Sequence, residues 1–273
     1  MINSTLSTPY PSTTMNLNRT RVIAANVFRE VIRDRALYLL VFFATVMVVA
    51  VALLPEVAAS AEEQMILDVG LAAIGVLGLA VAAFVGTGLV NREIEKRTVY
   101  AMIAKPVSRS EFIVGKHWGL TAVLAVLVLA MTAIYIGILT AKQIPVSIAS
   151  VLLSALFQIL ELALVAAVAL LFGVLTSSLL ATMLTIAIYC VGHLSRDLLS
   201  IGALTDNAEL HQITEVLFLL LPDLSRLNLK NQAVYGMEML PPPAELLSHA
   251  GYGLLYTLLL LTLTVGIFSR RQF

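Results

Sequence analysis

Residues 91–119, NREIEKRTVYAMIAKPVSRSEFIVGKHWG, form the most charged stretch of a chain that is otherwise overwhelmingly apolar. Six Lys/Arg (Arg92, Lys96, Arg97, Lys105, Arg109, Lys116) and three Glu (Glu93, Glu95, Glu111) fall within it, and uncharged runs flank it on both sides. Of 273 residues, 59% are hydrophobic and only 12% charged. The mean hydropathy is +0.94. A soluble domain cannot hide that much apolar surface, so lipid must be the solvent for most of the chain. The quoted stretch then joins two membrane spans, and the question is why an ordered, mixed-charge segment stands between them.

Working outward, six uncharged runs read as spans: Ala36–Leu54, Val69–Val90, Trp118–Thr140, Ser150–Leu175, Leu179–Leu194 and Gly251–Phe268. Four approach or exceed the roughly 20 residues that cross a bilayer of about 30 Å. The fifth and sixth are shorter, and the sixth can begin as early as Ala244, after Pro241-Pro242-Pro243. The expected fold is an all-α membrane protein with six transmembrane helices. An even span count puts both termini and the quoted loop on one side. That side carries 13 Lys/Arg, against Lys142, Arg196, Arg226 and Lys230 on the other. The positive-inside rule makes the loop and both termini cytoplasmic.

Residues 1–16 are Ser/Thr-rich and uncharged, with no basic region leading into a short apolar core, so they read as a disordered tail rather than a secretory signal. From Leu17 to Asp34 the pattern becomes helical. Ile23, Ala24, Val27, Phe28, Val31 and Ile32 gather on one face, with Asn26, Arg29, Glu30 and Arg33 on the other. This predicts an amphipathic helix in the membrane interface, its basic residues near anionic lipid. A plain extension of span one would draw Arg29 and Arg33 into the bilayer. The single cysteine, Cys190, excludes an intrachain disulfide and a cysteine-based metal cluster.

Within Asn91–Ala104, Ile94, Thr98, Ala101 and Met102 share a helical face, and Glu93 precedes Arg97 by four residues in the favourable order. Pro106 stops this helix by pushing the residue before it out of the α region. Ser108-Arg109-Ser110-Glu111 then reads as a capping box, with the Ser108 hydroxyl accepting from the Glu111 amide and the Glu111 carboxylate reaching back to the Ser108 amide. A helix, a proline corner and a capped helix make a rigid bracket.

The run EIEKRTVYAMIAKPVSRSEFIVGKHWG strongly resembles the loop between spans two and three of ABC-2 type transporter permeases, in which a Glu-rich helix is followed by Lys-Pro, Ser-Arg and Gly-Lys. LPDLSRLNLKNQAVYG (Leu221–Gly236) also resembles the outer segment of that family, so residues 17–273 are expected to form one ABC-2 type transmembrane domain. The resemblance implies an interfacial N-terminal helix, a cytoplasmic coupling helix between spans two and three, and a partly re-entrant outer segment between spans five and six. It further implies a homodimer in the inner (plasma) membrane, with two cytoplasmic ABC ATPase subunits as partners and no nucleic acid. ATP and Mg would be bound by those subunits, with no cofactor in this chain. The positions matching the coupling helix are Arg92, Glu93, Glu95, Lys96, Arg97 and Thr98. The competing reading makes these charges a solvated face and orientation signal. The chain encodes no phosphate loop of its own. Around its one Gly-Lys pair, Gly115-Lys116, the pattern would need Gly where Ser110 stands and Ser/Thr where His117 stands.

Glu161 lies midway along span four, with Gln158 one turn before it on nearly the same face. A charge at the bilayer centre costs about 2.5–3.5 kcal/mol on insertion scales, so such residues face protein or water. Two readings stand: a translocation-path or proton-linked carboxylate, or a protonated Glu clasping a neighbouring helix or its dimer mate. Gly78, Ala82 and Gly86 recur every four residues in span two and read as a packing groove. His193, Arg196 and Asp197, where span five leaves the membrane, with Glu245 and His249 before span six, allow a metal or hydrolytic site to be imagined. No HExxH pattern supports it, and satisfied interfacial polar groups are the plainer account. Val216–Leu221, too short to span and followed by Pro222, reads as a re-entrant or interfacial helix. Two function classes follow. The first is the permease subunit of an ATP-driven exporter, with a variant that transmits force without moving cargo. The second is a membrane-embedded enzyme using Glu161 or the His193/Asp197/Glu245/His249 cluster.

Overall fold

The computed structural model describes residues 16–57, 62–95, 108–204, 216 and 221–270. They form helices α1 (Leu17–Val31), α2 (Leu37–Val57), α3 (Glu62–Glu95), α4 (Arg109–Ala141), α5 (Ile148–Leu175), α6 (Ser178–Leu204), α7 (Lys230–Val234) and α8 (Pro243–Arg270). No strand occurs among the described residues. Five of these helices, α2, α3, α4, α5 and α8, are long and apolar enough to cross a membrane, while α6 has a shorter apolar portion, Ser178–Leu194. Five of the six spans expected from the sequence are thus long apolar helices among the described residues, and the fifth, Leu179–Leu194, falls within the shorter apolar portion of α6.

Asn16 caps α1, its side chain accepting from the Asn18 amide at 3.0 Å. The sequence reading separated this helix from span one, but the chain stays helical across the junction. A single π-helical turn, Ile32–Ala36, joins α1 to α2. No Gly or Pro occurs between Leu17 and Leu54, so nothing in that stretch breaks the helix. Helix α3 likewise runs past Val90 to Glu95 without a break. The start of the helix expected over Asn91–Ala104 is therefore the end of α3, and the rest of it, with Pro106, falls at residues 96–107, outside the described residues.

Helix α5 is the hub, packed against α3, α4, α6 and α8. Its apolar window is 67% buried, against 17% for α2, which places α5 at the centre and α2 at the rim. The groove of span two receives α5 within the same subunit. A Cβ on Gly78 would lie 2.4 Å from Leu162 Cδ1, and one on Gly86 would lie 2.8 Å from Ala169 Cβ. Small residues here let the two backbones close up.

The outer segment is folded into the bundle. Leu224, Leu227, Leu229 and Ala233 are buried. Pro222 and Leu224 press on Gly192 of α6, Leu227 presses on Gly253 of α8, and Ser150 of α5 donates to the Ala233 carbonyl at 2.9 Å. Asp223 accepts from Arg226 at 2.9 Å, and its amide donates to the Tyr252 hydroxyl at 2.8 Å. The apolar run Val216–Leu221 lies mostly outside the described residues; the part seen to pack is 221–240.

Candidate functional site

Two polar sites stand out against the apolar bundle. The first is the start of α4. Ser108 and Glu111 form the capping box read in the sequence: the Ser108 hydroxyl accepts from the Glu111 amide at 3.2 Å, and Glu111 Oε2 accepts from the Ser108 amide at 2.9 Å. The second oxygen of Glu111 goes further, accepting from the Asn16 amide at 2.7 Å. One carboxylate therefore caps two helices. Next to it, Arg109 donates to the carbonyl of Phe268 at 2.9 Å and also to that of Ser269, closing the free C-terminal carbonyls of α8. Phe112 stacks on Phe268 with ring centroids 5.7 Å apart. The first turn of α4 thus ties down both the first and the last helix.

Glu111 lies in the polar first turn, seven residues ahead of Trp118 where the apolar span begins. Burial pushes its carboxyl up. The Asn16 and Ser108 amides, the Ser108 hydroxyl and the nearby Arg19 charge outweigh that effect and hold it below the usual value.

The amphipathic helix docks here rather than lying free. A Cβ on Gly115 would come within 2.9 Å of Ile23 Cβ, and one on Gly119 within 2.6 Å of the Ala24 carbonyl oxygen. The spacing Gly115-x-x-x-Gly119 on α4 is what admits α1, a pairing of small residues that the sequence reading passed over.

The end of α3 is fastened to the same region. Lys116 donates to Glu93 Oε1 at 2.6 Å and to the Leu89 carbonyl at 2.5 Å, and its ammonium sits 4.7 Å from the Phe112 ring centroid. Asn91, buried, donates to the Thr176 carbonyl in the α5–α6 link at 2.6 Å. Thr87 and Thr182 share a hydrogen bond of 2.8 Å between α3 and α6. Of the positions matched to a coupling helix, Arg92 is exposed, Glu93 pairs with Lys116, and Glu95 is the last residue of α3. Lys96, Arg97 and Thr98 lie outside the described residues.

The second site is in the bundle core. Gln158 and Glu161 are buried on α5, and Glu161 is 0% exposed. Both side-chain atoms of Gln158 and both carboxylate oxygens of Glu161 complete no hydrogen bond. His193 of α6 brings its Nε2 to 3.3 Å from Glu161 Oε1. The Tyr189 phenol also approaches that carboxylate, and the Tyr189 and His193 rings lie 4.3 Å apart. From the outer segment, Lys230 lays its ammonium over Gly75 of α3, where a Cβ would be 2.5 Å from Nζ and 3.7 Å from the Gln158 amide oxygen.

Of the outer cluster imagined from the sequence, the side chains of His193, Glu245 and His249 are described, and that of Asp197 lies outside the described residues. His193 faces Glu161, while His249 pairs with Glu245 at 3.6 Å one turn apart on α8. Asp197 belongs to α6. Among the described residues, no group of three His, Cys, Asp or Glu is placed to hold a metal ion. The Glu161–His193 pairing joins positions 32 apart on different helices, which no local pattern announces.

A family model described as ABC-2 family transporter protein matches residues 21–273. No curated protein matches the chain.

Proposed function

This chain belongs to the ABC-2 family of transporter proteins and is a multi-pass permease subunit of an ABC transporter, and from that premise we propose how its two polar sites divide the work. The permease acts as an exporter, as a homodimer, with two separate ATPase subunits binding ATP and Mg on the cytoplasmic side. The α3–α4 connection receives the ATPase, and both termini share its side of the inner membrane. Gln158 and Glu161 line the path through the bundle.

The observation that carries this reading is the fastening of α3. Glu93–Lys116 joins its end to α4, and Asn91–Thr176 joins it to the α5–α6 link. A push on residues 91–95, the end of α3, is then delivered to α4 and to the α5–α6 link at once. Arg92, Glu93, Glu95, Lys96, Arg97 and Thr98 supply the docking face. The test is the double reversal Glu93→Lys, Glu95→Lys in correctly inserted protein. It should weaken association with the ATPase subunit and uncouple hydrolysis from transport. Wild-type association and transport would leave the segment as a topology signal only.

A further inference from the structure

We propose that Glu161 and His193 form a proton-binding site in the core of the bundle, holding at least one exchangeable proton between them at neutral pH. The tautomer follows from geometry. His193 Nδ1 lies 3.0 Å from the Tyr189 carbonyl oxygen, four residues back on α6. A carbonyl can only accept, so Nδ1 carries a hydrogen. In a neutral imidazole that leaves a lone pair on Nε2, and Nε2 faces Glu161 Oε1 at 3.3 Å. An ionised carboxylate is also acceptor-only. Two acceptors would then confront one another where Glu161 is fully buried and neither atom has another hydrogen-bond partner. In a low dielectric that arrangement is strongly unfavourable. One proton resolves it, either on the carboxyl as a donor to Nε2 or on Nε2 as an imidazolium beside a carboxylate.

The surroundings leave this proton with the pair. Gln158 on α5 does not titrate. Tyr189 on α6, with Cys190 next to it, offers a phenol that can donate to the carboxylate but cannot relieve the Nε2 lone pair. Helix α3 brings Gly75 to the cluster; its Asp68 lies instead beside Tyr135. Helix α4 brings His117, which is bonded to the Ala163 carbonyl at 2.9 Å. On α8, Tyr252 meets the Asp223 amide, Tyr256 lies 5.7 Å from Tyr252 between ring centroids, and His249 faces Glu245. Among the described residues, the remaining cation is Lys230, whose ammonium acts on His193 from the outer segment. Proton and ammonium therefore compete for one carboxylate. Loss of the proton to bulk water leaves a buried charge that draws Lys230, and with it the outer segment, inward.

This deepens the reading of Glu161 as a path residue and rests on that reading only for its consequence in transport. The experiment reads the proton itself, so the two can fail separately. The full chain, labelled with ¹⁵N-histidine and ¹³C-carboxyl glutamate, is reconstituted in lipid nanodiscs at pH 7. Magnetic-resonance shifts then report the charge of each imidazole and carboxyl, with His193→Gln and Glu161→Gln each assigning its own signal. Where Glu161→Gln does not assemble, the coupled shift of Glu161 on His193→Gln gives the same assignment. A protonated Glu161 carboxyl, or a His193 imidazolium, is the expected result. An ionised Glu161 beside a neutral His193 overturns the proposal, whichever nitrogen carries the hydrogen.

Discussion

The Asn16 amide donates to Glu111 across 95 residues of sequence at 2.7 Å, so the first helix begins on a side chain that also starts the span-three helix. Hydrogen bonds to a charged acceptor are worth about 1.5–3 kcal/mol each. Replacing Glu111 with Ala removes both, and it should lower stability in detergent by about 3–6 kcal/mol. Glu111→Gln keeps a capping-box acceptor and should lose less than half of that. Thermal unfolding of the purified chain checks the order; equal losses for the two variants would contradict it.

The same carboxylate gives a pH dependence with a fixed sign. Its folded pKa is depressed, so its stabilisation is complete above the unfolded value of about 4.3 and is lost as pH falls through the lowered folded value. The gap in melting temperature between the wild type and Glu111→Gln should be constant from pH 7 to pH 5. It should narrow below pH 4. A gap that widened on acidification would mean the carboxylate is not held ionised by these donors.

Gly119→Ala should unseat α1. The added methyl would meet the Ala24 carbonyl oxygen at 2.6 Å and Val27 Cβ at 2.7 Å, both held on a helix. Overpacking of this kind costs about 1–3 kcal/mol. Gly266→Ala, with nothing within 4 Å of the new methyl, serves as the control and should be neutral or slightly stabilising. Proteolysis of α1 should quicken in the first variant and not in the second.

Lys116 and Glu93 should respond unequally. The Lys116 side chain is 6% exposed and that of Glu93 is 35% exposed. Lys116→Met takes the ammonium away from the partly buried Glu93 carboxylate, costing about 1–3 kcal/mol. Glu93→Gln keeps an oxygen that can accept from the Lys116 ammonium, so its cost should stay below that of Lys116→Met. A double-mutant cycle on thermal stability measures the coupling between them.

The spans were legible in the sequence because hydropathy is read residue by residue, and the Ser108–Glu111 box because its partners are three residues apart. What escaped was long-range. Gly115 and Gly119 looked like part of a charged loop until Ile23 and Ala24 were placed on them. Glu161 is visible as a misplaced charge, but its partner His193 reads as a residue of the membrane exit, since distance along α6 says nothing about which way a ring turns into the bundle. Lys230 gave no signal at all. Its meaning depends on an outer segment that folds back onto Gly75.

The π turn at Ile32–Ala36 sets an angular phase between the docked first helix and everything after it. A π turn closes its hydrogen bonds one residue wider than an α turn. Each residue of an α-helix advances the azimuth by about 100°. Restoring ordinary α geometry there without removing a residue would swing α1 by about that angle relative to α2. Ile23, Ala24 and Val27 would then leave Gly115 and Gly119, and a charged face would arrive in their place. The one extra residue held in the π turn decides which side of the first helix meets the third span, so any change that returns all five residues to α geometry should unseat α1.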